Sequence, residues 1–119
     1  LLIFSLSSVA NADQWRVIGS GVGYLVYTQK IKNVGRHKFR VWVMYDFNEV
    51  QSVGHKNYRS MSSFEEYDCQ SETVLPLSAV FYMDQMGSGR VVHQLGSDPS
   101  AGPIPPNSVS ELVKEHVCK

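Results

Sequence analysis

The most regular pattern in the chain runs from Phe39 to Phe47. Phe39, Val41, Val43, Tyr45 and Phe47 fall on one face of an extended strand, and Lys38, Arg40, Trp42, Met44 and Asp46 on the other. The first face reads as core. The second mixes charge with large apolar groups, and the simplest cover for its apolar part is a helix at the C-terminus. Weaker strand patterns lie on either side. Arg16 to Gly19 and Tyr24 to Tyr27 flank Gly19-Ser20-Gly21-Val22-Gly23, which reads as a hairpin turn. Asn33-Val34-Gly35-Arg36 reads as the turn into the main strand, with Gly35 supplying a positive φ. Asn48 to Asn57 reads as a polar loop. Tyr58 to Cys69 and Val74 to Met83 follow as strands, with Pro76 near the start of the second, where its missing N–H does least harm. Gln85-Met86-Gly87-Ser88-Gly89 is turn chemistry before a last strand, Arg90 to Leu95.

From residue 96 to 107 the chain is a loop rich in Pro and Gly, and the periodicity then changes. Ser108-Val109-Ser110-Glu111 is a capping box, after which Val109, Leu112, Val113 and Val117 form one apolar stripe at helical spacing. A helix this short is marginal alone and needs a sheet to pack on. The class is therefore α+β, one sheet with one C-terminal helix.

Residues 1–12 differ from all of this. An apolar run fades into Ala10-Asn11-Ala12, the small-residue pattern at which signal peptidase cuts. The expectation is an incomplete residual signal peptide at 1–12 and a single exported domain at 13–119. The apolar run falls short of the roughly 20 residues a membrane helix needs. No cysteine stands at the cut site to carry a lipid. In an oxidising compartment Cys69 and Cys118, the two cysteines of the chain, should form one disulfide. Such a link closes a loop of about 50 residues and is worth about 4 kcal/mol on the chain-entropy model. The absence of a C-x-x-C spacing makes it structural rather than redox-active.

Net charge is zero, but it is unevenly laid out. Six basic residues and no acid lie between Gln14 and Tyr45 (Arg16, Lys30, Lys32, Arg36, Lys38, Arg40); six acids lie between Asp46 and Glu72 (Asp46, Glu49, Glu65, Glu66, Asp68, Glu72), against Lys56 and Arg59. This asymmetry can steer an acidic partner or set two copies head to tail. Lys30, Lys32, Arg36, His37, Lys38 and Arg40 are the candidate ligand-binding residues. Arg36 and His37, at a turn, are expected to be the most accessible.

Other chemistries find less support. The G-x-G at Gly19 to Gly23 opens a strand rather than a helix, so it does not predict a nucleotide. His37, His55, His93 and His116 fall into no metal-ligand spacing, and neither a P-loop nor a nucleophile elbow occurs. Glu65 and Glu66 point to opposite faces of a strand and do not make a catalytic pair. No enzyme activity, cofactor or metal is expected. Aromatic residues near the basic stretch could suit nucleic acid, but export and neutral charge argue against it.

Val41-Trp42-Val43-Met44-Tyr45-Asp46-Phe47, Glu66-Tyr67-Asp68-Cys69, Met86-Gly87-Ser88-Gly89, Pro103-Ile104-Pro105-Pro106-Asn107-Ser108 and Val117-Cys118-Lys119 occur in an order that resembles the surface-adhesin protein E-like domain of Gram-negative bacteria. The resemblance spans nearly all of residues 13–119. It implies an antiparallel sheet of six strands with the C-terminal helix packed on one face, and a disulfide from Cys69 to Cys118 tying helix to sheet. The adhesin of that family is a dimerising outer-membrane lipoprotein that binds the host matrix proteins vitronectin and laminin. Here the expected cut site offers no cysteine to acylate. Two functions follow as expectations. One is an envelope binding module for a protein partner such as a host matrix protein, acting through the basic segment as a monomer or homodimer. The alternative is a soluble periplasmic housekeeping protein that associates with itself or with another envelope component.

Overall fold

The structure, a computed structural model, describes residues 14–97 and 100–119. The expected leader at 1–12 lies outside the described residues. The sheet strands are β1 (Arg16–Gly21), β2 (Tyr24–Gly35), β3 (Lys38–Val53), β4 (Lys56–Asp68), β5 (Thr73–Tyr82) and β6 (Val91–Leu95). They form an antiparallel meander in chain order, and a two-residue β7 (Gly102–Pro103) pairs with the start of β5. Helix α1 (Val109–Val117) closes the chain. The expected sheet-and-helix class, with about six antiparallel strands, is what is observed.

The helix begins where its cap dictates. The Ser108 hydroxyl accepts the Glu111 N–H at 3.1 Å, while the Glu111 carboxylate accepts the N–H of Asn107 at 2.9 Å, one residue before the cap. Val113 and Val117 are buried against Val26, Val41, Val43 and Tyr67, with Ile18, Phe39, Tyr45, Val74, Ile104 and Val109 packed around them. The fit is close at Gly19 on β1, where a Cβ would meet the Leu112 Cδ2 at 2.5 Å and push that side chain aside. The Cys69–Cys118 disulfide joins the residue after β4 to the residue after α1, with the Cα atoms 5.8 Å apart.

The helix covers the Phe39-Val41-Val43-Tyr45 face, not the Lys38-to-Asp46 face, which corrects the sequence expectation. The reason is polar: a valine stripe offers no partner to Arg40 or Asp46, and burying them unpaired is costly. The second face is instead closed at one end by a single 3₁₀ turn, Gln85–Gly87. This turn supplies backbone groups. Met86 N–H donates to the Asp46 carboxylate at 2.8 Å, Gly87 N–H donates to the Ser60 hydroxyl at 2.8 Å, and that hydroxyl donates to the Asp84 carbonyl at 2.6 Å. Met44 is buried beneath, and Gly87 has a φ of 68° with its backbone so close that a Cβ would meet the Met44 Cε at 2.8 Å.

Three turns also differ from expectation, the first because Gly19–Gly21 belong to β1 and the reversal falls on Val22 and Gly23 alone. Residues 48–57 are not a loop: β3 continues to Val53 and β4 starts at Lys56, with register lost between Asp46 and Gln51. The bulge is held where the Arg59 guanidinium donates to the Asn48 carbonyl. A hairpin end that projects past the core needs no apolar alternation, so its polar composition reads as a loop. In the β2–β3 turn, β2 runs through Gly35 and the reversal falls on Arg36 and His37. His37, not Gly35, takes the positive φ, at 61°.

Candidate functional site

The basic residues singled out in the sequence all lie on the β2–β3 hairpin, but they do not form one cluster. Lys32 is paired with Arg40 across the two strands, and a bulge between Gln29 and Lys32 places Lys30 in a left-handed conformation with φ of 55°. Lys30, Lys32 and Arg40 thereby line one groove of about 240 Å³, together with Val34, Trp42 and Phe64. Trp42 and Phe64 are partners across β3 and β4, and their rings stack with centroids 4.7 Å apart and 26° between planes. Arg36 and His37 form the exposed tip. Lys38 stands between tip and groove.

The same register explains the uneven charge along the chain. Strand β4 runs back along β3 and brings acids to the basic stretch: Lys38 faces Asp68 and Arg40 faces Glu66. Arg40 Nε donates to the Glu66 carboxylate at 2.9 Å. Asp68 is held below the usual carboxylate range, first by the Ser71 N–H and then by the Gln70 N–H, with Lys38 adding a smaller pull. The second ion pair, Lys114 with Glu72 at 3.4 Å, ties α1 to the β4–β5 turn. Among the described residues Lys30, Lys32 and Arg36 have no carboxylate within ion-pair distance. With Lys38, which is also outside ion-pair distance of any described carboxylate, they carry the unpaired positive charge of the hairpin.

The tip is braced from behind. Cys69 N–H donates to the His37 carbonyl at 2.7 Å, so the turn is tied to the residue that bears the disulfide. On the opposite face, Glu65 is buried under the helix. Its carboxylate accepts the Tyr67 hydroxyl at 2.6 Å and the Ser63 hydroxyl at 2.9 Å. Burial raises the pKa of Glu65 despite those two bonds, and burial followed by the neighbouring Glu65 charge raises both Tyr67 and Tyr45. This network is enclosed, so it serves the packing of the helix rather than a solute.

Sequence reasoning missed the aromatic wall. Trp42 shares a face with Arg40 by simple alternation, so that half was available. Phe64 was not, because its position against Trp42 depends on the β3–β4 register. A larger cleft of about 470 Å³ lies at the other end of the sheet, lined by His55, Lys56, Asn57, Met83, Arg90, Val91 and Val92. It is also basic but has no aromatic wall. No described helix is long and apolar enough to cross a membrane.

The fold has known counterparts. Two crystal structures of Haemophilus influenzae protein E superpose with TM-scores of 0.64 and 0.66 at 13% and 12% identity. The first covers 85% of this chain and 91% of that one, the second 88% and 75%. A third structure of the same protein gives a TM-score of 0.66 at 13% identity, over 88% of this chain and 83% of that one. At such identity the likeness concerns the fold. No curated protein matches the sequence. The family model described as surface-adhesin protein E matches residues 15–119, nearly the whole chain, and the chain belongs to that family.

Proposed function

We propose that this chain is an exported, non-catalytic binding module of the bacterial envelope that holds acidic protein segments, host matrix proteins among them, on the β2–β3 hairpin. The observation that carries this reading is the trio Lys30, Lys32 and Arg36, which lacks carboxylate partners among the described residues. Their neighbour Arg40 is paired with Glu66, while Lys38 stands opposite Asp68 in the strand register without an ion pair between them. A free cation on a stiff hairpin gives long-range attraction and salt-sensitive contacts. The disulfide supports export, because such a link persists in oxidising compartments. Membership of an adhesin family supports the binding role.

The test is binding of the oxidised chain to immobilised vitronectin and laminin across a salt series, beside a Lys30→Glu/Lys32→Glu/Arg36→Glu variant. Saturable binding that weakens with salt and is lost in the variant is the expected result. Binding indifferent to both changes would place the contact elsewhere. A folded, disulfide-bonded chain that binds neither protein but self-associates independently of salt would favour the periplasmic partner protein.

A further inference from the structure

The hairpin groove carries more information than its charge. A purely electrostatic contact needs only lysines at the surface, yet here Lys30, Lys32 and Arg40 surround Val34, Trp42 and Phe64 in one concavity of about 240 Å³. That is roughly eight times the ~30 Å³ a water molecule takes up in the liquid, enough for one ring-sized side chain. Trp42 and Phe64 are half-buried although they sit on the face the helix does not cover. Their partner on that face is each other. The rest of the same face at Met44 and Asp46 is sealed by the 85–87 turn, so the aromatic pair is the part left open to a ligand.

The groove wall and its rim make different demands. The stacked rings favour a further planar or apolar group against them. Lys30 and Lys32 are exposed cations without acidic partners among the described residues, and they favour carboxylates flanking that group. Arg40 is engaged by Glu66, so it shapes the groove more than it attracts an acid. From this arrangement we infer that the groove is an anchor pocket for an aromatic side chain set between acidic residues in a peptide segment. An acidic segment without such a ring would fill only the rim. The inference rests on the reading of the β2–β3 hairpin as the contact surface and names what that surface selects.

The chain offers its own reporter. Trp15 and Trp42 are its two tryptophans, so a Trp15→Phe background leaves Trp42 as the single tryptophan, which can be excited selectively over the tyrosines of chain and peptide. The probes are two synthetic peptides of equal charge, Glu-Glu-Tyr-Glu-Glu and Glu-Glu-Ser-Glu-Glu, with a heparin-derived oligosaccharide as a third. The tyrosine peptide should bind about fivefold to tenfold more tightly than the serine peptide and change Trp42 emission. Trp42→Leu, read by calorimetry, should erase that preference, so that the two peptides bind alike. Lys30→Gln/Lys32→Gln should weaken both peptides several-fold. Equal affinity for the two peptides, with Trp42→Leu silent, would overturn the anchor pocket and leave the basic hairpin standing. Loss of neither peptide in the double lysine variant would overturn the hairpin reading itself. Oligosaccharide binding that exceeds the tyrosine peptide and depends on Trp42 would assign the groove to a sugar instead. Circular dichroism under non-reducing conditions establishes that each variant is folded.

Discussion

Glu65 and Glu66 are neighbours in β4 and meet opposite fates. Glu66 points to the face the helix leaves open, meets Arg40 at 2.9 Å, and stays in contact with solvent through its partner's guanidinium. Glu65 points beneath α1, where two hydroxyls replace water and burial raises its pKa. The two faces thus solve the problem of a carboxylate in different ways. On the open face opposite charges are matched across strands, and on the covered face a neutral hydroxyl pair solvates the acid. An exposed ion pair holds little free energy, whereas a buried acid with few partners holds much. The covered face should therefore dominate stability and the open face should be free to serve binding.

That contrast can be broken at several points. The largest effect is expected from Cys69→Ser/Cys118→Ser, which releases the helix from the sheet. The entropic estimate is about 4 kcal/mol, read as a fall of about 15 °C or more in the unfolding midpoint. Val113→Ala removes fully buried methyl groups under α1 and should cost about 2 kcal/mol in chemical denaturation. A similar loss, about 1–3 kcal/mol at neutral pH, is expected for Tyr67→Phe, because the Glu65 carboxylate would keep only the Ser63 hydroxyl.

Glu65 also sets a pH dependence. Its folded pKa lies above its unfolded value, so the folded state binds the proton more tightly. The stability it contributes is fully present in acid and is lost as pH rises from the ordinary glutamate range through the raised folded value. Denaturation midpoints measured across that interval should fall with pH in the parent chain and flatten in Glu65→Gln. The smallest effect belongs to the open face. Glu66→Gln should change stability by less than about 1 kcal/mol, since Arg40 is substantially exposed. A loss as large as that of Tyr67→Phe would mean that the two faces are not energetically distinct.

The strand from Phe39 to Phe47, the Ser108 cap and the cysteine pairing were legible in the sequence because each depends on local spacing or on a forced choice. The helix-covered face was misassigned because both faces of β3 hold large apolar groups. What separates them is the neighbourhood of Arg40 and Asp46, and their partners, Glu66 and the 85–87 turn, lie more than 25 residues away in the chain. The hairpin at 48–57 was hidden by polar side chains that suit either a loop or a strand end in water. Of the candidate site, the cations were readable. Their division into matched and unmatched members was not, because it follows from the β3–β4 register. The stacking of Phe64 on Trp42 follows from that same register, so it was out of reach for the same reason.

The bond from Cys69 N–H to the His37 carbonyl has a mechanical meaning as well. The Arg36–His37 tip backs onto a corner where a hairpin turn, the end of β4 and the end of α1 converge on one covalent link. Under the proposed reading, a pull on a ligand at this tip would be shared among three elements instead of being taken up by bending a single ribbon. A tip anchored in this way would suit a contact that has to bear load.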